Sequence, residues 1–369
     1  MEKRTVTLAK FRNKLISPAI ITLAVCLAYL GIVLIQANGD PLDLARIGTR
    51  FSESASLGTE GYDGQFILYI ASDPNPATVS QHLDVPAYRY QRILLPLLAR
   101  LISFGQREWL PWVIPGISLT AHILAVILLS GLFEAWGINR WYSLVYGLWV
   151  GLLLVLRLDL PEGLAFSLVI AAFWLDQKGR PIWSSLCFGL ALFAKETTIF
   201  FVVAQGVVLL VNRRWRQLFL LSLLAGLPFV IFRFWLLRVF GSFGFGVGGA
   251  GADPVELLPF FGLWRTGEYS WLYFSALVAV YLPSLIIPAI WGLFSSARRW
   301  LERYIELPVA ALFLNAAIYP FLPRSLYIEP LGTLRLGTGL VLAILLFAAR
   351  FRLVKVLNFS FFWLFFLFL

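Results

Sequence analysis

Apolar runs long enough to cross a lipid bilayer recur along this chain, and that recurrence limits the fold more than any other feature. Residues 16–35, 110–133, 218–240 and 271–294 are the longest. About 20 residues of helix, at ~1.5 Å each, span a ~30 Å hydrocarbon core. Hydrophobic residues make up 60% of the 369 and charged residues only 14%, against about 25% charged in a soluble domain. In lipid every backbone polar group must find its partner inside its own segment or in a closed barrel. The expected fold is therefore all-α: a single polytopic transmembrane domain over residues 1–369.

Shorter runs fill the interval between the long ones. Residues 142–156, 163–175, 182–194 and 199–211 each give only ~20–23 Å of helix, less than the full core. Further runs at 307–321, after Arg335 to Ala349, and at 356–369 bring the expectation to about 11 spans. The first run is long and reads as a retained helix rather than a cleavable signal. No internal repeat supports an inverted-repeat transporter.

Charge fixes the expected orientation. The net charge of +10 could suggest a nucleic-acid partner. The basic residues instead fall in short junctions between apolar runs, as the positive-inside rule requires, so no nucleic acid is expected. Lys3, Arg4, Lys10, Arg12 and Lys14 place the N-terminus in the cytoplasm. Residues 36–108 then form a long first extracytoplasmic loop and residues 241–270 a second. Fourteen Trp and thirteen Tyr suit aromatic belts at the two interfaces. Within the first loop, residues 91–104 are apolar but broken by Arg92, Pro96 and Arg100, the pattern of a helix lying along the interface.

Chemistry-bearing residues gather on the expected outer side. Asp63 stands between Gly61-Tyr62 and Gly64, where flanking glycine lets the chain turn sharply and another group approach. In an apolar recess its carboxylate would be more basic and suited to taking a proton from a hydroxyl. The plainer alternative is an Asp-Gly turn on a wet loop. Gln65 is a weaker polar neighbour. Tyr88, Arg89, Tyr90 and Arg92 follow; guanidinium forks match phosphate oxygens and tyrosine faces can stack a sugar, although Arg and Tyr also populate interface belts. Asp159 and Glu162 flank Pro161, and Lys195-Glu196 occupies the next outer junction. Ionisable groups at membrane depth are expensive and mark either a site or mutual ion pairs. Because the short helices would stop below the outer surface, these acids should line a recess. Arg335 is expected on a later outer loop.

The glycine-rich GSFGFGVGGAGADP at residues 241–254 does not lie between a strand and a helix, so a phosphate-binding fingerprint is not supported. It reads equally as a cover over the recess or as a linker. Cys26 and Cys187 read as packing residues, and His82 and His122 are expected to hold no metal.

The run YDGQFILYIASDP followed by YRYQRILLPLLARL, with LPEG at 160–163 and AKET at 194–197, resembles the GT-C superfamily of integral membrane glycosyltransferases, especially bacterial cell-surface glycopolymer and mannosyltransferase-like members. On that resemblance Asp63 takes the acid position, Ile70-Ala71 a following pair, and Leu95 to Leu98 a Pro-Leu-rich run. It departs from the pattern in lacking a second acid beside Asp63. That departure leaves a metal's part open, and the expectation is that none takes part and no other cofactor is needed. The resemblance implies a polyprenyl-phosphate sugar donor, a glycan or lipid acceptor, and an outward-facing site in a bacterial plasma membrane. Asp63 would then act as base, while Arg89, Arg92 and either Lys195 or Arg335 stabilise the departing phosphate, with inversion at the anomeric carbon. The competing readings are a flippase for a lipid-linked saccharide and a non-catalytic scaffold of an envelope-synthesis complex.

Overall fold

The computed structural model describes residues 17–53, 57–244, 249 and 252–368. The N-terminal basic residues Lys3 to Lys14 lie outside the described residues, as do 245–248 and 250–251 of the glycine-rich loop. Every regular element among the described residues is helical. Five helices are long and apolar enough to cross a membrane: α1 (Pro18–Gln36), α5 (Arg107–Ala135), α10 (Trp215–Phe240), α11 (Trp271–Leu301) and α13 (Pro330–Arg350). They mark a membrane-embedded protein.

Between α1 and α5 the long loop folds into short helices, among them α2 (Gly64–Ser72), α3 (Pro86–Tyr90) and α4 (Leu94–Ile102). The remaining bundle helices are α6 (Val150–Arg157), α7 (Glu162–Gln177), α8 (Pro181–Ala194), α9 (Glu196–Val211), α12 (Leu307–Ala316) and α14 (Val354–Ser360). Residues 142–156, expected as one run, are divided: a short turn of helix ends at Gly147 and α6 begins only at Val150.

Helix starts follow local chemistry. Ser17 caps α1 by accepting from the Ile20 amide, and Pro18 occupies the first turn, where its missing N–H costs nothing. Pro181 and Pro330 open α8 and α13 in the same way. The α4 helix is divided lengthwise. Leu95 and Ala99 are buried while Leu101 and Ile102 are exposed, and Arg100 turns back to donate to the carbonyls of Ala71 and Ser72. The helix is therefore amphipathic over Leu94–Ile102.

The centre of the bundle is α13, of which 89% of the most apolar stretch is buried. It packs on α6, α12 and α14, while α7 lies between α5 and α8. One tie sets the position of α13. The indole of Trp149 is fully buried, and its N–H donates to the Leu334 carbonyl at 3.1 Å. Gly151 lets that same carbonyl approach: a Cβ there would sit 2.3 Å from it. The next residue along the helix is Arg335.

Candidate functional site

Asp63 is placed by a backbone that admits no alternative side chains around it. Gly61 has φ +70, in the left-handed region. A Cβ on Gly64 would lie 2.2 Å from the Leu158 carbonyl oxygen. The turn is therefore pressed against the junction between α6 and α7. Gln65 is buried and staples the loop, its amide donating to the Glu60 carbonyl (2.7 Å) and accepting from the Gly48 amide (3.0 Å). Asp63 precedes the first turn of α2, where an acid ordinarily caps the helix. Its side chain makes no capping bond and reaches guanidinium groups instead.

Arg89 Nη1 lies 2.9 Å from Asp63 Oδ1, while Arg335 Nη2 and Arg92 Nη1 lie 3.4 and 4.0 Å from Oδ2. Each arginine has a second anchor. Arg89 donates twice to Asp84, both at 2.7 Å. Arg92 donates to Glu196 at 2.9 and 2.7 Å and to the Tyr88 hydroxyl at 2.6 Å. Arg335 donates to the Tyr62 hydroxyl at 2.7 Å and pairs with Glu162 at 3.3 Å; Tyr62 in turn donates to Glu329 at 2.5 Å. Lys195 closes the circuit, 3.1 Å from Glu162 and 3.9 Å from Glu196. The guanidinium groups of Arg92 and Arg89 also sit over the Tyr88 and Phe66 rings, each 4.4 Å from the centroid.

Direct ion pairs thus join four cations, Arg89, Arg92, Lys195 and Arg335, to four carboxylates, Asp63, Asp84, Glu162 and Glu196. The cluster is nearly dry. Side-chain exposure is 3% at Arg92 and Glu162, 19% at Glu196 and 26% at Asp63, which is the most open of the four acids.

The electrostatics reverse one expectation. Burial does raise the Asp63 pKa, but Arg89, Arg335, Arg92 and Lys195 more than offset it and hold the carboxyl at about 2. At rest Asp63 is a weaker base than a free aspartate, not a stronger one.

Other expected site residues sit differently from the sequence reading. Arg335 is in the second turn of α13, not on a loop, because Pro330 and the Glu329 carbonyl start the helix earlier. Tyr90 is buried among Phe66, Ile70 and Ile93, its ring against Trp235 and Phe240 and its hydroxyl donating to the Pro74 carbonyl; it offers no face to a sugar. Asp159 does not enter the ion-pair network that joins Glu162, Lys195 and Glu196. It adopts φ +52 after the end of α6, is 1% exposed, and neither carboxylate oxygen has a hydrogen-bond partner among the described residues. Burial pushes its pKa well up, so it stays protonated beyond the usual carboxylate range. Of the residues expected to line the recess, Arg92, Glu162, Lys195 and Arg335 are buried in mutual ion pairs and Asp63 is the most open acid. A cavity lined by Gly179, Arg180, Trp183 and Arg216 opens at the far end of α7.

Sequence reasoning missed Tyr62, Asp84 and Glu329 as members of the cluster. Asp84 stands five residues before Arg89 and just before Pro86 starts α3, a spacing that could have marked it. Glu329 gave no comparable signal. Among the described residues no group of three or more His, Cys, Asp or Glu side chains is placed to hold a metal ion. Glu162 and Glu196 are instead engaged by cations. Of the glycine-rich loop, Gly244 rests on the Ala87 carbonyl and Gly249 on the Arg89 guanidinium.

Chemically, the arrangement is a partly open carboxylate held among preorganised guanidinium forks, a setting suited to phosphate and to proton transfer. Compared with known proteins, the chain matches no family model, no curated sequence and no solved structure.

Proposed function

We propose that the chain is a GT-C-like glycosyltransferase that moves a sugar from a polyprenyl-phosphate carrier to an acceptor hydroxyl at the extracytoplasmic face of a bacterial plasma membrane. One observation carries the reading: the carboxylate of Asp63, the most open acid of the cluster, shares its oxygens with Arg89, Arg92 and Arg335. Arginines 26, 29 and 272 positions away in sequence converge on one aspartate near the start of a loop helix. In the reaction, the acceptor hydroxyl gives its proton to Asp63 and its oxygen bonds to the anomeric carbon. The bond from that carbon to the phosphate oxygen breaks, and the electron pair leaves with the carrier phosphate. Arginine stabilises that charge, so no general acid is required, and the configuration inverts. Glu162 and Glu196 hold Arg335, Lys195 and Arg92 in place. Tyr90 and Gln65 serve the loop's packing.

The test is reconstitution of the full chain in liposomes with a panel of radiolabelled polyprenyl-phosphate sugars and an envelope extract as acceptor. Carrier-dependent transfer with inverted linkage supports the reading; no transfer from any carrier sugar overturns it.

The even pairing of charges favours a second reading, in which the cluster is a clasp that holds the first loop to the bundle of a non-catalytic scaffold. There, neutralising Asp63 lowers stability and removes no activity.

A further inference from the structure

Resting on the transferase reading, a difficulty in the cluster leads further. Four carboxylates already balance four cations. Within this ion-paired set an incoming phosphate finds every cation already engaged by a carboxylate unless one acid yields its place. The geometry singles out which one. Glu196 is gripped twice by Arg92, at 2.7 and 2.9 Å, and Asp84 twice by Arg89, both at 2.7 Å. Glu162 is 3% exposed. Asp63 is the most open of the four, and each of its contacts is single, at 2.9, 3.4 and 4.0 Å.

The cations are built to survive its departure. Arg89 keeps Asp84, Arg92 keeps Glu196 and Tyr88, and Arg335 keeps Glu162 and Tyr62. Three guanidinium groups, held from behind, would still face one point, the geometry of a phosphate cradle.

We propose that Asp63 is a resident anion occupying the phosphate site, and that the carrier's phosphate displaces it and thereby turns it into a base. Before donor binds, the guanidinium groups keep the carboxylate ionised and unreactive toward protons. Once phosphate oxygens take up those donors, Asp63 loses its cations, gains an adjacent negative charge and accepts a proton more readily. The charged groups around it have a part in this: Arg89, Arg92 and Arg335 directly, Lys195 through Glu162 and Glu196, Asp84 through Arg89, Glu329 through Tyr62, and buried Arg233 through Glu196. The device imposes an order of binding, with donor first and the acceptor's proton second.

The experiment uses the purified full chain in nanodiscs. Dodecyl phosphate is titrated by calorimetry against wild type and Asp63→Asn, with dodecyl maltoside as the neutral control and inorganic phosphate as the chain-free control. Asp63→Asn should bind dodecyl phosphate about tenfold tighter or more, an effect of about 1.4 kcal/mol, with no gain for the maltoside. Equal or weaker binding by the variant overturns the proposal. Inorganic phosphate showing the same gain at equal affinity keeps the displacement and assigns the site to a soluble phosphate. A second measurement needs no variant. Carbodiimide modification of Asp63, read by mass spectrometry, requires a protonated carboxyl and should rise several-fold when dodecyl phosphate is added to wild type. Unchanged or reduced modification overturns the proposal. The two readings fail separately. Tighter binding by Asp63→Asn, with no transfer by wild type from any donor, defeats the transferase alone. Transfer lost in Asp63→Asn with unchanged phosphate affinity defeats displacement alone.

Discussion

The two ends of the bundle are both charged, but in opposite ways. At the end that carries Asp63, Arg92, Arg89, Lys195 and Arg335 are 3–9% exposed and linked in one network. At the far end of α7 and α13, Arg350 pairs with Glu306 at exposures of 42% and 32%, and Arg140 with Glu134 at 30% and 57%. Exposed pairs contribute roughly 0–1 kcal/mol. Buried pairs are different. Desolvation can exceed their attraction, so they are weak contributors to stability and strong candidates for a working part. The chain gathers eight ionisable side chains in one buried network at one end and leaves the pairs at the other end exposed.

The largest expected effect bears on that separation directly. Asp63→Asn should reduce transfer by about 10²–10⁴-fold, the usual contribution of a positioned base, with the folded protein retained by size-exclusion and circular dichroism. Wild-type turnover would make the buried network a structural clasp and erase the contrast with the far end.

Stability comes next. Arg92→Ala removes the buried, bidentate partner of Glu196, which is 19% exposed and keeps only Lys195 at 3.9 Å, and should cost up to about 3 kcal/mol, seen as a fall in the detergent melting temperature. A loss comparable with that of an exposed pair would show that water already reaches the cluster.

A smaller effect sharpens the comparison within the buried end. Asp159 has no hydrogen-bond partner among the described residues, and burial outweighs the attraction of Arg157 to hold its folded pKa above the unfolded value. Its favourable contribution is therefore present below about pH 4, the unfolded pKa, and is lost as pH rises, because only the unfolded chain ionises freely. Asp159→Asn should match wild type near pH 4 and exceed it at pH 7 by on the order of 1 kcal/mol. An advantage independent of pH would mean that the carboxyl is already ionised and paired in the membrane. The smallest effect belongs to the far end. Arg350→Ala should change stability by about 1 kcal/mol or less and leave transfer unaltered. A loss of activity there would tie the two ends together.

How much of this was legible in the sequence depends on the distance over which each feature is set. The all-helical fold follows from runs of apolar residues, a local property, and the long helices fall within a few residues of where those runs lie. The break at Leu148 and Trp149 was hidden because the composition stays apolar through it. Asp63, Arg89, Arg92, Glu162, Lys195, Glu196 and Arg335 were each noticeable as charges out of place, and the structure brings them together. Their partnership was not legible, since Arg335 and Asp63 meet across 272 positions. For the same reason the sign of the Asp63 shift was misjudged: an apolar setting was visible in the sequence, three converging cations were not. Tyr90 looked like Tyr88 in the sequence. Only the helical turn of α3 sends one toward Arg92 and the other into Phe66, Trp235 and Phe240.

The contact beneath Gly64 has a mechanical consequence. Its Cα rests so close to the Leu158 carbonyl that one added methyl would overlap backbone, which has no rotamer to yield. Gly64→Ala would act as a shim driven under the loop. It would change no charge, yet lift the aspartate away from three fixed arginines, so the spacing of the whole ionic assembly is gauged by the thickness of a single hydrogen atom.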